Sequence, residues 1–169
     1  MDAYENLLTR RSIRRFHPTP IAPELIEKLL WAGMYAPSAC NRRPWEFVLI
    51  DDPVLTAEIP KIHPHAPMAM QAPLSILVCG DLQREHPSGY WVVDCAAAVE
   101  NILLAAHSLG LGAVWTGIYP REERIEGMAK LLGLPDHIRP HSLIVVGHPA
   151  ETPDAPDRFE PHRIHRNGW

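Results

Sequence analysis

The sequence predicts a single domain of mixed α and β structure, α+β or α/β. Three observations carry this. Helical and strand periodicities interleave along the chain. One long, largely apolar helix pattern, at 88–110, dominates the middle. A length of 169 residues, 46% hydrophobic and 21% charged, suits one globular domain and not a disordered chain. No internal repeat is evident, nor any linker between two cores.

The elements follow in order. Residues 2–10 read as a short helix with Tyr4, Leu7 and Leu8 on one side. The stretch "PELIEKLLWAGMYAPS" is a clearer one: Pro23 suits the first turn, Glu24 favours the positive helix N-terminus, and Leu25/Leu29 and Ile26/Leu30/Gly33 keep the helical period until Pro37 stops it. "WEFVLIDD" reads as a strand, "PVLTAEIPKI" as a short helix, and "HPHAPMAMQAP" as a loop or irregular helix. "LSILVCGD" is a buried strand ended by Gly80 and Asp81. The 88–110 helix is apolar nearly all round and is expected at the centre of the fold. Its alanines, Ala96, Ala97, Ala98, Ala105 and Ala106, let another helix approach closely. "GAVWTGI" is a strand, "EERIEGMAKLLG" a surface helix stopped by Gly133, and "HSLIVVGHP" the last strand. The tail, 150–169, is polar and proline-rich with no core of its own. Ile164 and Trp169 favour its wrapping a neighbour over dangling.

Composition excludes several functions. A net charge of -4 and a pI near 6.2 argue against a nucleic-acid binder. The longest apolar stretch is interrupted by Asp94, Glu100, Asn101 and His107, so it is not a membrane span. Cys40, Cys79 and Cys95 are odd in number and scattered, which fits a reducing compartment without a disulfide framework. The N-terminus carries no signal-peptide apolar region. A cytoplasmic location is expected.

Against that acidic background, "TRRSIRRF" concentrates four arginines in eight residues. A local basic cluster implies a local anion or a solvated turn. Arginine forks match phosphate oxygens. If the segment is extended, Arg10, Ser12 and Arg14 share one side and form a row of donors about 13 Å long. That row is too long for one phosphate, but suits a phosphate followed by a chain and a polar ring. In "APSACNRRPWEF", Ser38 and Asn41 are small polar groups in a loop held by Pro37 and Pro44, or simply part of a helix stop and strand start. In "GLGAVWTGIYP", Trp115, Thr116 and Gly117 stand at a strand end, where ligands commonly bind; Gly117 would let the backbone approach a flat ligand.

Taken together and in this order, these three stretches resemble the nitroreductase family, FMN-dependent NAD(P)H oxidoreductases with a homodimeric α+β fold. The resemblance spans the whole chain and is to the compact branch of the family. It implies a three-layer fold with a mixed, mainly antiparallel sheet, a single domain over 1–169, and a tail from about residue 150 that wraps the partner. It implies FMN at the subunit interface. Arg10, Arg11 and Ser12 would bind its phosphate and ribityl end, with Arg14 near the pyrimidine edge. Ser38, Ala39 and Asn41 would come from the other subunit. Trp115, Thr116 and Gly117 would lie near the ring, and a tail arginine, Arg158 or Arg163, would reach the phosphate. The activity implied is alternating transfer of reducing equivalents from NAD(P)H through FMN to a nitroaromatic, a quinone or a similar acceptor. Reductive dehalogenation stays open within the class, and a non-catalytic phosphate- or nucleotide-binding module outside it.

Two positions depart from the family pattern: Arg43 stands where glutamine is frequent, and Arg14 where lysine is. An extra cation near the flavin is expected to favour anionic acceptors. No Ser-His-Asp or Cys-His set is found, as expected when the flavin carries the hydride. Cys40 is expected to be packed rather than a nucleophile. No metal site is expected, because His63/His65 and His162/His165 lack further ligands at usual spacings.

Overall fold

The computed structural model describes residues 1–169. Its helices are α1 (Ala3–Thr9), α2 (Pro23–Met34), α3 (Pro53–Ile62), α4 (Trp91–Ser108) and α5 (Glu122–Leu132). Its strands are β1 (Phe16–His17), β2 (Trp45–Ile50), β3 (Leu74–Asp81), β4 (Gly112–Gly117) and β5 (Ile138–Pro149). The long strand β5 organises the sheet. β3 and β4 flank it, β2 lies outside β3, and β1 pairs with the end of β5. Every strand pairing is antiparallel; the only parallel element is an isolated bridge between Ser12 and Ala113.

Alternation along the strands builds three layers. Ile76, Val78, Ala113, Ile144 and Val146 face α2 and α4 in one apolar core. Their neighbours Leu77, Cys79, Val114, Leu143 and Val145 face α3 and α5 in the other. The fold is therefore α+β with an antiparallel sheet between helical layers. Both faces of β3 are buried, which is why its sequence reads as a continuous apolar run. Helix α4 lies centrally, with Cys95, Ala98, Val99, Ile102 and Ala106 fully covered.

The differences from expectation are local. β5 begins at Ile138 and not at His141, because Arg139 and Pro140 pair with Gly80 and Cys79 across a register shift. That stretch has no apolar alternation to announce it. Residues 39–41 form a short 3-10 turn, and Cys40 within it is exposed rather than packed, since a φ of 48° turns it outward. The tail from Asp154 to Phe159 runs beside the chain's own α1, whereas Ile164 and Trp169 project outward.

Candidate functional site

The arginine segment is fixed from two sides. α1 ends at Arg10, whose φ of -55° and ψ of 131° send the chain into an extended path. The Ile13 N–H then donates to the Ala113 carbonyl at 3.0 Å. This approach requires glycine at position 112, where a Cβ would stand 2.8 Å from the Ile13 Cβ. From the other side, Glu151 Oε1 accepts the backbone N–H groups of Arg14 and Arg15. Ile13 and Phe16 are thereby buried, and Arg14 and Arg15 are left exposed.

The arginines divide between two clefts. Arg10 and Arg11 line a cleft of about 650 Å³ between α1 and the tail, and Arg158 lines the same cleft. The tail is tied there by Arg11 Nε, which donates to the Asp154 carbonyl at 3.1 Å. Glu100 lies 3.8 Å from Arg10 Nε, whereas Arg11 and Arg158 have no carboxylate partner. Asp157 also lines the cleft, so three guanidiniums stand against two acidic residues, and the positive excess favours an anion. Arg163 is not part of this arrangement; it pairs with Glu160 on the exposed tail. Arg14 faces a second cleft with Pro67, Met68 and Gln71, so the row of donors expected for an extended segment bends between Arg11 and Arg14. The Ser12 side chain, half-buried between the clefts, makes no hydrogen bond within the chain.

β4 is an edge strand, and alternate residues turn their N–H and C=O groups away from β5. Ala113 turns outward and is met by Ile13; Gly117 turns outward and its carbonyl accepts from Arg124 at 2.8 Å. Between them lies Trp115, whose outward backbone groups form a gap with one donor and one acceptor. The space at Gly117 is open: a Cβ there would meet nothing nearer than the Tyr119 carbonyl, at 3.7 Å. Thr116 is turned away: its hydroxyl donates to the Leu143 carbonyl at 2.8 Å and is buried. The Trp115 ring lies over the buried His141 at 6.0 Å, and Trp91 and Tyr119 complete the aromatic cluster. Burial lowers the pKa of His141 to about 4, so the cluster is uncharged at neutral pH.

The 38–43 loop stands apart from both clefts in this chain. Ser38 Oγ accepts the Arg43 N–H at 2.9 Å, and the Ala39 N–H donates to Asp94 Oδ1 at 2.9 Å. Cys40, Asn41 and Arg43 all have positive φ, which leaves the Asn41 and Arg43 side chains exposed.

Four supporting residues went unrecognised as such in the sequence, although their signal was visible. Asp94, Glu100, Asn101 and His107 are the polar interruptions of the apolar helix. Asp94 holds Ala39, and Glu100 faces Arg10. Asn101 donates to the Ala32 carbonyl, and His107 meets the Thr9 hydroxyl at 2.9 Å.

Comparison with known proteins gives the family and the fold. The sequence profile of the Nitroreductase family matches residues 7–148. The chain belongs to the nitroreductase family. It is 48% identical, over its whole length and 88% of the other chain, to a Methanothermobacter thermautotrophicus protein whose name pairs NADH dehydrogenase with NAD(P)H nitroreductase. A Parabacteroides distasonis crystal structure bearing the same pair of names superposes with a TM-score of 0.94 at 43% identity, covering 98% of each chain. A nitroreductase structure from Desulfovibrio desulfuricans, in complex with FMN, superposes with a TM-score of 0.85 at 30% identity, covering 100% of this chain and 99% of that one. As a nitroreductase-family member the chain is an oxidoreductase. No helix of the chain is long and apolar enough to cross a membrane.

Proposed function

We propose that the protein is an FMN-dependent oxidoreductase that takes reducing equivalents from NAD(P)H and passes them to a nitroaromatic, a quinone or a similar acceptor. The observation that carries this reading is the joint lining of one cleft by Arg10, Arg11 and Arg158, while Arg10 and Arg11 also line a neighbouring cleft of about 310 Å³ that reaches Ala113 of β4. The cations suit a phosphate, and the outward Trp115 backbone suits the donor–acceptor edge of a planar ring. FMN in related proteins and NAD(P)H in the names of close relatives support the same pairing.

When bound, FMN supplies the hydride chemistry. The chain's own residues hold and tune it. Arg10, Arg11 and Arg158 anchor the phosphate, and Ser12 offers its free hydroxyl to the same end. Arg14 places a fixed cation where negative charge develops on the pyrimidine edge. Trp115 and Gly117 orient the ring; Thr116 shapes the strand behind them. Ser38, Ala39 and Asn41 complete the pocket of a partner subunit, giving two equivalent sites in a homodimer.

The test is spectroscopic. Purified protein should be yellow, or become so with FMN, and should bleach on anaerobic addition of NADH or NADPH. In titrations of apo-protein, Arg10→Ala should weaken FMN binding by about 1.5–3 kcal/mol, the worth of a charge-assisted hydrogen bond. Colourless protein that cannot be reconstituted would end this reading.

A further inference from the structure

We propose that Asp94 is a positioning residue that sets the 38–43 loop in place. The proposal rests on the reading that this loop completes the site of a partner subunit. Asp94 lies in the first turn of α4 and is 4% exposed. Its Oδ1 accepts the Ala39 N–H at 2.9 Å, across 55 positions of sequence. Its Oδ2 is also buried and has no hydrogen-bond partner. A carboxylate held inside an apolar layer with one oxygen unpaired is costly, and the N-terminal turn of α4 offsets only part of the charge. A small apolar residue would fill the same place in a helix that is otherwise alanine-rich. What the carboxylate supplies, and an apolar residue would not, is the bond to Ala39.

That bond holds an unusual piece of backbone. Cys40, Asn41 and Arg43 adopt φ values of 48°, 52° and 49°, a region that residues with a Cβ avoid. Three side chains hold it: Arg42 Nε donates outward to the Arg84 carbonyl at 3.1 Å, and Ser38 and Asp94 act at its other end with separate effects. Ser38 Oγ takes the Arg43 N–H and so fixes the shape of the loop from within. Asp94 ties the loop to α4 and so fixes where that shape sits. Asp94 touches neither cofactor nor substrate; it acts through Ser38, Ala39 and Asn41.

The test uses FMN-loaded protein and three variants. Trypsin cleavage at the Arg42–Arg43 bond, followed by mass spectrometry, reports opening of the loop. Asp94→Ala should be cut at least about tenfold faster than wild type, the loss expected for one charge-assisted hydrogen bond. Asp94→Asn keeps an oxygen acceptor but not the charge, and should be cut at a rate between wild type and Asp94→Ala. Ala39→Pro removes the donor instead. Ala39 opens a 3-10 turn after an extended Ser38 (φ -143°, ψ 154°), a backbone that admits proline, and the variant should match Asp94→Ala. Both fast-cut variants should raise KM for the electron acceptor more than they lower kcat. Wild-type cleavage rates in Asp94→Ala and Ala39→Pro would overturn the proposal. Fast cleavage with unchanged KM would keep Asp94 as the clamp and overturn instead the placement of the loop in the site. If Asp94→Ala does not fold, Ala39→Pro carries the same test.

Discussion

Arg14 differs from Arg10 and Arg11 in the cleft it faces. Its backbone N–H is taken by Glu151, but its guanidinium has no carboxylate partner and faces its own cleft. On the proposed reading it acts on charge that appears when the ring is reduced. Arg14→Ala should therefore lower the flavin reduction potential more than it lowers FMN affinity, as read by redox titration. An unchanged potential with a large loss of affinity would place Arg14 at the phosphate. His141 makes a different prediction. Its native pKa, about 4, lies below the ordinary 6.5, so below pH 6.5 the unfolded chain binds a proton that the native state refuses. Stability should fall as pH drops from about 6.5 to 4, by about 3 kcal/mol at most, since each unit is worth about 1.4 kcal/mol. His63 and His107 are shifted in the same direction by burial and neighbouring arginines, and add to the slope. Chemical denaturation across this range should show a shallower decline in His141→Gln than in wild type.

At the scale of elements, the site depends on an extended segment laid against an edge strand. Gly112 permits that contact, so Gly112→Ala should push Ile13 away and carry Arg10 to Arg14 with it. A cost of about 1–3 kcal/mol is expected for such overpacking, with weaker FMN binding. Thermal melts and FMN titration together check this; a stability loss with unaltered affinity would separate the segment from the site. The elements themselves were legible because their signals are local: period, caps and stops. The site was legible in part for the same reason. "TRRSIRRF" and "GAVWTG" announce a cation cluster and a strand end. The inward hydroxyl of Thr116, the division of Arg14 from Arg10 and the anchoring of Ala39 by Asp94 were not legible. Each depends on which elements meet in space, and Asp94 and Glu100 showed in sequence only as interruptions of an apolar run.

At the scale of the molecule, apolar surface remains uncovered on several elements at once. Tyr4, Leu7 and Leu8 of α1, Trp31 of α2 with Tyr35 just after it, Val93 of α4, and Ile164 and Trp169 of the tail are all exposed. A homodimer that packs these faces, with each tail end on its partner, accounts for them; obligate interfaces typically bury roughly 2,000–5,000 Å². The shared-site arrangement can be tested by mixing. One chain carries Arg10→Ala with Gly117→Asp, and the other carries a disrupted 38–41 loop. Each homodimer should be inactive. In the heterodimer one pocket holds both lesions and the other none, so about half the activity per flavin site should return. Absence of any recovery after verified subunit exchange, or a monomer that still holds FMN, would exclude it.

The cleft that joins Arg10, Arg11 and Arg158 also bears on biosynthesis. Chains emerge from the ribosome N-terminus first. Two of the three cations precede every strand of the core and the third follows all of them. The last strand of the core ends at Pro149, before Arg158 exists. A chain that stops after Pro149 can thus complete its sheet while its anion clamp stays open. On the proposed reading the clamp closes only in a chain that carries Arg158, and chains cut short after Pro149 should form a distinct population: folded in the core, yet weakly coloured.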